Sequence, residues 1–468
     1  DQYSTTFGIR TVEVRQGEGF FLNGKRVQFK GVCNHHDLGP LGGIANEAGI
    51  RRQIRMLKDM GCNAIRTSHN MPAPELIKAC DEMGMMVMAE SFDEWATAKV
   101  QNGYHTVFGE WAEKDIVNLV RHFRNNPSVV MWCIGNEVPD QWAGDKGPKL
   151  SLWLQNICHR EDPTRPVTQG MDAPDAVVNN NMAAVMDVPG FNYRPFKYIE
   201  NYKKLPQEII LGSETASTIS SRGVYKFPVV RRSMPKYPDH QSSSYDVEHC
   251  GWSNLPEDDF IQHEDLPYCI GEFVWTGFDY LGESWGWPGR TNNYGIIDLA
   301  GFEKDHYYLY QSLWSDEPMV HVLPHWTHPG KEGVEIPVVV YTNGDAAELF
   351  YNGKSLGRKD MHRDSLQIVW NVPYRPGTIK AVAYKDGRVI ASCSHKTAGK
   401  AYSLKLTADR KTMKSNRKDV VFVTVDVTDK KGNFVPYANV DVDFEVKGDY
   451  KLIGVENGDV LDLSLIHI

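Results

Sequence analysis

From residue 27 to about residue 315 the chain alternates short apolar runs with amphipathic helical stretches, and this alternation limits the fold more than any other feature. The runs are Val27–Val32, Asn63–Thr67, Met86–Glu90, Val129–Glu137, Pro166–Met171, Val185–Tyr193, Glu208–Glu214 and Ile270–Tyr280. Between them, Ile50–Met60 places Ile50, Ile54, Leu57 and Met60 at helical spacing, and Pro74–Met83 starts on Pro and stops before Gly84. Trp111–Phe123 and His306–Trp314 have similar faces. Eight runs interleaved with helices fit the α/β class and a (β/α)8 TIM barrel. A doubly wound sheet is the alternative, and the early glycine-rich phosphate turn it often carries is absent.

After Trp314 the period changes to two. Glu335–Tyr341, Ala347–Tyr351, Thr378–Tyr384 and Val389–Ser394 are separated by Asn343-Gly344, Asn352-Gly353 and Asp386-Gly387. Such turns between short strands predict an immunoglobulin-like β-sandwich. A second run of the same style (Ser403–Ala408, Val420–Val427, Val440–Val446) is too short for a complete sandwich. The expected domains are 1–19, the end of a missing N-terminal β domain; 20–318, the (β/α)8 barrel; 319–398, an Ig-like sandwich; and 399–462, a second, incomplete one. Residues 463–468 (Leu-Ser-Leu-Ile-His-Ile) read as a non-native, adapter-like tail.

Two of the barrel runs end in a carboxylate. Glu137 closes the fourth and Glu214 the seventh, and an unpaired buried charge is costly enough to demand a reason. In a barrel, strand C-termini carry the active site. Paired carboxylates there suit glycosidic bond cleavage, one acid protonating the departing oxygen and the other acting on the opposite face of the sugar. Asn136, beside Glu137, is placed to hydrogen-bond a sugar hydroxyl.

These residues, with Lys30-Gly-Val-Cys-Asn-His-His36, Asn63-Ala-Ile-Arg-Thr-Ser-His69, Gly190-Phe-Asn-Tyr193 and Gly271-Glu-Phe-Val-Trp-Thr-Gly-Phe-Asp279, resemble glycoside hydrolase family 2 over about 20–318. The resemblance implies a retaining, exo-acting hydrolase with Glu137 as acid/base and Glu214 as nucleophile. It further implies Asn136 on the 2-hydroxyl, Tyr193 bonded to the nucleophile, His35, Arg66 and His69 as subsite residues, and Trp275 as an aromatic wall. Apart from the resemblance, His35 and His69 also read as strand-end histidines, Trp275 as core, and Arg66 as a structural partner of Glu90. The family normally carries a jelly-roll and a further sandwich before its barrel, so this chain is expected to be truncated and its activity reduced.

Asn292-Asn293-Tyr294-Gly295 has Tyr where the glucuronidases of the family carry a Lys for the sugar carboxylate. The stretch Trp285–Trp314 looks closest to β-galactosidases, which is the expected activity; β-glucuronidase, β-mannosidase and a non-hydrolytic carbohydrate-binding relative are the alternatives. A barrel hydrolase cutting inside polysaccharides is a further rival. Glu94 matches the first position of a family magnesium site, but Ala96 breaks its second, so no metal or other cofactor is expected to be required, with magnesium or sodium the weaker alternative. The long segment between Glu214 and Ile270 reads either as a loop on the leaving-group side or as an excursion over the barrel's flank.

A formal net charge of −9, with no clustered basic stripe, argues against nucleic acid, and no apolar run reaches the roughly 20 residues that span a bilayer. The expected partner is an oligosaccharide or glycoside substrate; homo-oligomerisation stays open. So does the compartment, with a periplasmic or secreted location favoured. The eight scattered cysteines lack metal-like spacing and read as buried thiols.

Overall fold

The computed structural model describes residues 2–284, 288–362 and 364–462, so the expected tail and Trp285 lie outside the described residues. Eight parallel strands close into a barrel: β1 (Phe29–Asn34), β2 (Ala64–Thr67), β3 (Met86–Glu90), β4 (Val129–Asn136), β5 (Val167–Met171), β6 (Val188–Asn192), β7 (Ile210–Ala216) and β8 (Cys269–Trp275). Each is followed by a helix: α1 (Glu47–Asp59), α2 (Pro74–Met83), α3 (Phe108–Phe123), α4 (Lys146–Glu161), α5 (Pro174–Asn179), α6 (Tyr198–Tyr202), α7 (Pro256–Asp265) and α8 (Asp305–Trp314). Local chemistry sets their ends. Asn46 caps α1 by accepting from the Gly49 N–H at 2.9 Å, and α2 stops at Gly84 in the left-handed conformation (φ 72°).

The strands alternate sides. Ile65, Val87, Ala89, Trp132, Ile134, Ile210 and Val274 pack outward in the cluster that includes the helices' Ile54, Leu57, Ile77, Ile116 and Leu154. Phe29, Cys33, Ala64, Met88, Cys133, Leu211 and Phe273 pack together in a second cluster. The same period of two puts Arg66 two residues beyond Ala64 and Glu90 two beyond Met88, on the inner side at the C-terminal end. All eight cysteines are unpaired, seven of them buried, and burial pushes the Cys33 thiol up to about 12.

Two expectations change here. Val12–Arg15 pairs with Gly19–Leu22 as an antiparallel hairpin, and Phe20 stacks obliquely on Phe29 with ring centroids 4.7 Å apart. A hairpin cannot be cut at its second strand, so the boundary drawn at residue 19 does not separate structural units; the ribbon packs onto the barrel's core. Second, Val440–Val446 forms no strand among the described residues. Its Val440, Phe444 and Val446 are exposed and have no ladder to join, leaving one antiparallel pair, Ala401–Ala408 with Val423–Asp429.

Among the described residues the sandwich has seven strands. A three-stranded sheet (Val320–Leu323, Glu335–Thr342, Ile368–Pro373) faces a four-stranded one (Lys354–Asp360, Ala346–Tyr351, Thr378–Lys385, Arg388–Lys396) across Trp326, Val338, Leu349, Trp370 and Ile379. It is tied to the barrel by Tyr341 donating to Asp246 (2.7 Å) and Tyr245 donating to the Pro337 carbonyl (2.7 Å). The segment 217–255 therefore has two jobs: Tyr225 and Tyr245 pack toward the sandwich, while Trp252 reaches the barrel mouth.

Within β8, Gly271 has φ 120°, and a Cβ there would lie 2.3 Å from the Phe29 backbone. Gly271→Ala should cost about 3 kcal/mol or more, because backbone cannot yield as a side chain can. A thermal midpoint within 2 °C of the parent would contradict this, since about 1 kcal/mol already moves a large domain by roughly 2–4 °C.

Candidate active site

At the C-terminal end of the barrel lies a cavity of about 270 Å³, lined by His69, Asp93, Lys99, Asn136, Glu137, Asp172, Tyr193, Arg194, Glu214, Trp252, Trp275, Glu283 and Tyr294. Six of the eight residues expected at the site bound it. The other two do not. Arg66 is fully buried beneath it, and His35 stands behind the wall, edge-on to His69 (5.6 Å) and Trp275 (5.3 Å).

Arg66 organises the floor. Its Nη1 donates to Glu214 Oε2 at 2.8 Å and to the Ser213 carbonyl at 2.9 Å, its Nη2 to Asn136 Oδ1 at 2.8 Å, and its Nε and Nη2 to Glu90. It thus pairs with Glu90, as foreseen, and with Glu214 as well. The other oxygen of Glu214 accepts from the Tyr193 hydroxyl at 2.7 Å, which also meets Ser217 Oγ. His69 Nδ1 lies 2.8 Å from Glu90 Oε1 and its Nε2 3.3 Å from Asn136 Nδ2. A proton on Nδ1 satisfies both contacts. Burial, which alone would raise the Glu90 carboxyl, is outweighed by Arg66 and His69, and the group is held at about 2.

Backbone irregularity aims the two carboxylates. β7 runs two residues past Glu214, to Ala216, so Glu214 lies inside the strand rather than closing it. Its ladders to both neighbours slip in register around Gly212–Thr215, as bulges do where a side chain must be re-aimed. Glu137 sits one residue beyond β4 at φ 44°, its N–H held by the Gly170 carbonyl at 2.8 Å. Beyond Glu214, Thr215 donates to Glu272 (2.8 Å) and the Ala216 N–H to Asp259 (2.9 Å), anchoring the strand's end.

Glu137 has a different environment. Its partner is a neutral amide, Asn192 Nδ2 at 2.9 Å, which also donates to Asn136 Oδ1 at 2.8 Å. Burial, then the charges of Glu214 and Asp172, push the Glu137 carboxyl up to about 7. Space for this network exists because β5 has a glycine: a Cβ on Gly170 would come within 2.8–3.0 Å of Asn192, Arg66 and Asn136.

Sequence reasoning singled out neither Asp93, Lys99, Asp172, Arg194 and Glu283 nor a role for Asn192, although Asn192 and Tyr294 stand in stretches it quoted. Lys99 donates to Asp93 (2.8 Å) and to the Asn136 carbonyl (2.9 Å). The wall beside them is aromatic, with Trp275 stacked on His69 at 5.2 Å and Tyr280 packed on His35 at 4.3 Å. Glu94 is taken up by its own loop. Although burial opposes it, N–H groups of His105, Lys99 and Val100 hold this carboxyl at about 2. Among the described residues no group of three His, Cys, Asp or Glu side chains is arranged to hold a metal ion.

Fold and site define a barrel of the glycosidase kind, and comparison with known proteins fixes the family. Residues 12–281 match the profile described as "Glycosyl hydrolases family 2, TIM barrel domain", residues 333–391 a domain of unknown function, and residues 404–466 "Glycoside hydrolase family 2 C-terminal domain 5". The chain belongs to glycoside hydrolase family 2. The β-galactosidase BoGH2A of Bacteroides ovatus is 41% identical, the match covering 99% of this chain and 59% of that protein. A β-glucuronidase of Bacteroides fragilis is 25% identical over 81% of this chain and 54% of its own length. The crystal structure of a β-glycosidase from Bacteroides vulgatus superimposes with a TM-score of 0.88 at 39% identity, covering 97% of this chain and 60% of that one. The chain spans between 54% and 60% of the length of these relatives. No described helix is long and apolar enough to cross a membrane.

Removing Arg66 leaves Glu90 and Glu214 buried without their cation. Arg66→Met should lower unfolding stability at neutral pH by about 3–5 kcal/mol. Glu90, depressed below its ordinary value of 4.5, contributes stability that is present above that value and lost as pH falls toward about 2. The variant's urea midpoint should therefore change less across that window than the parent's. Equal pH dependence in the two proteins would overturn the assignment.

Proposed function

We propose that this chain is the catalytic part of a retaining, exo-acting β-glycosidase, and that its sugar is galactose. In the first step Glu214 attacks the anomeric carbon while the bond to the departing oxygen breaks and Glu137 delivers its proton to that oxygen. In the second, Glu137 takes a proton from water, the oxygen of that water bonds to the same carbon, and the ester to Glu214 is released. Arg66 and Tyr193 occupy both oxygens of Glu214 and match its negative charge. Among the described residues Glu137 has no cation as a hydrogen-bond partner, which suits the two carboxylates to opposite jobs. Once Glu214 is esterified its charge is gone, which removes one cause of the raised Glu137 pKa and favours the base role.

The charge of the cavity carries the choice of a neutral sugar. Asp93, Glu137, Asp172, Glu214 and Glu283 face it against Lys99 and Arg194. Lys99 is already bonded to Asp93, and Lys304, beyond the Tyr294 stretch, is buried on Asp279 at 2.8 Å. A sugar carboxylate would enter a field of its own sign, whereas hydroxyl groups are suited to so many acceptors. The β-galactosidase at 41% identity supports the same reading. The cavity lies just under the roughly 300–1,000 Å³ usual for ligand sites, which favours a terminal residue over a long groove. Asn136, His69 and Trp275 would hold the terminal sugar. Asp172, Arg194 and Trp252, from the β5, β6 and β7 connections on the other side of Glu137, would face the leaving group.

Nitrophenyl β-galactoside, β-glucuronide and β-mannoside should be compared on the protein. The galactoside should be cleaved fastest, with the β-anomer released first, and a chelator should not alter the rate. Preferred hydrolysis of the glucuronide would defeat the galactose reading, and loss in chelator restored by magnesium would defeat metal independence.

Because the first step needs Glu137 protonated, kcat/KM should fall as pH rises through about 7. Glu137→Gln should remove that limb. It should also lower kcat/KM by about 10²–10⁴ on poor leaving groups while sparing activated aryl glycosides. Full activity on a poor leaving group would rule Glu137 out as the acid.

A further inference from the structure

The loop after β8 supplies Glu283 and Tyr294 to the cavity, and it is gripped by a stretch of chain from the far end of the sequence. Arg290, 8% exposed, stands at the base of this loop and accepts through its carbonyl from the Gly282 N–H at 3.0 Å, one residue before Glu283. Its guanidinium forms a two-pronged pair with Glu456, Nη1 to Oε2 at 2.8 Å, and both side chains are about 6% exposed. Its Nε and Nη2 donate to the Asp459 carbonyl, and its backbone N–H donates to the Val460 carbonyl at 3.0 Å. A second clamp lies alongside: Arg222 donates to Asp298 (2.6 Å) and to the Asn457 carbonyl (3.1 Å), and Gln241 donates to Asp459 Oδ1 (3.1 Å). The approach is close. A Cβ on Gly458 would meet Asp298 at 2.4 Å, and one on Gly454 would meet the Pro40 carbonyl at 2.0 Å.

This is more than surface contact. A bidentate Arg–carboxylate pair shielded from water is directional and holds geometry as well as charge. From Gly282 the connection continues inward: Tyr280 donates to Glu283, and its ring packs on His35 and Trp275, whose indole stacks on His69.

We propose that residues 454–461 act as a strap that positions the β8 loop, so that Arg290 and Glu456, neither of which lines the cavity, set how Glu283 and Tyr294 meet the sugar. The domain most distant in sequence is thereby part of the sugar site's construction. The inference rests on reading the cavity as a sugar site, but its first test does not.

That test is hydrogen exchange on the protein and on Glu456→Gln. Exchange at Gly282 and Arg290 should accelerate about tenfold while the barrel strands keep their protection. Unchanged exchange, or acceleration spread evenly over the barrel, would overturn the proposal. Arg290→Lys keeps the charge but loses the fork and should behave alike; if both variants unfold, the strap is a folding element and the proposal is wrong. The second test is kinetic, on whichever chromogenic glycoside is cleaved. Glu456→Gln should raise KM about tenfold and move kcat by less than threefold. Combined with Glu283→Gln it should lose little beyond Glu283→Gln alone, as expected of coupled positions. An unchanged KM, or fully additive losses, would count against it.

Discussion

A single guanidinium, buried where water cannot reach it, fixes the geometry of this site. Arg66 extends from β2 into the barrel's interior and bonds groups on β3, β4 and β7 at once. Burying ions is expensive and is repaid only when nearly every donor and acceptor is satisfied. Here the planar fork of arginine meets two carboxylates, an amide and a carbonyl, a set that the single point charge of lysine could not serve. The position of Glu214 is therefore a property of the barrel's core, not of its loops. Tyr193 and the slipped register of β7 then fix the carboxylate's remaining freedom.

Glu137 and Glu214 have unlike partners, and Glu90 and Glu137 show how burial alone does not decide a pKa. Glu214 and Glu137 sit at the same end of the same barrel, yet the first is matched with a cation and a phenol and the second with an amide. Glu90, more deeply buried than Glu137, is shifted in the opposite direction because Arg66 and His69 outweigh its desolvation. Carboxylates in one cavity are thus set apart by an unequal distribution of partners.

The barrel was legible in the sequence because its alternation of short apolar runs and helical faces has little other solution. Glu137 and Glu214 were legible for a related reason: a carboxylate in or beside an apolar strand is conspicuous. Arg66 and Glu90 stood out as a candidate pair for the same cause. Asp93, Lys99, Asp172 and Glu283 were not legible, since a charged residue in a polar loop carries no periodic signal and gains meaning only once the loop is placed. The failed strand at Val440–Val446 is the converse lesson. Its pattern was right for a strand, but a strand requires a partner to bond. The hairpin across residue 19 was not legible, because arms of four residues each are too short for their period to announce a pairing.

Gly170 gives the site a division of labour in how it can change. A side chain at that position would collide with Asn192, Arg66 and Asn136 together, so the floor of the cavity cannot be altered there without breaking the arrangement that holds Glu214. The walls are built differently. They come largely from the loops after β3, β5, β6, β7 and β8. Exchanging a loop can therefore reshape the mouth of the cavity while the buried arrangement beneath it is kept.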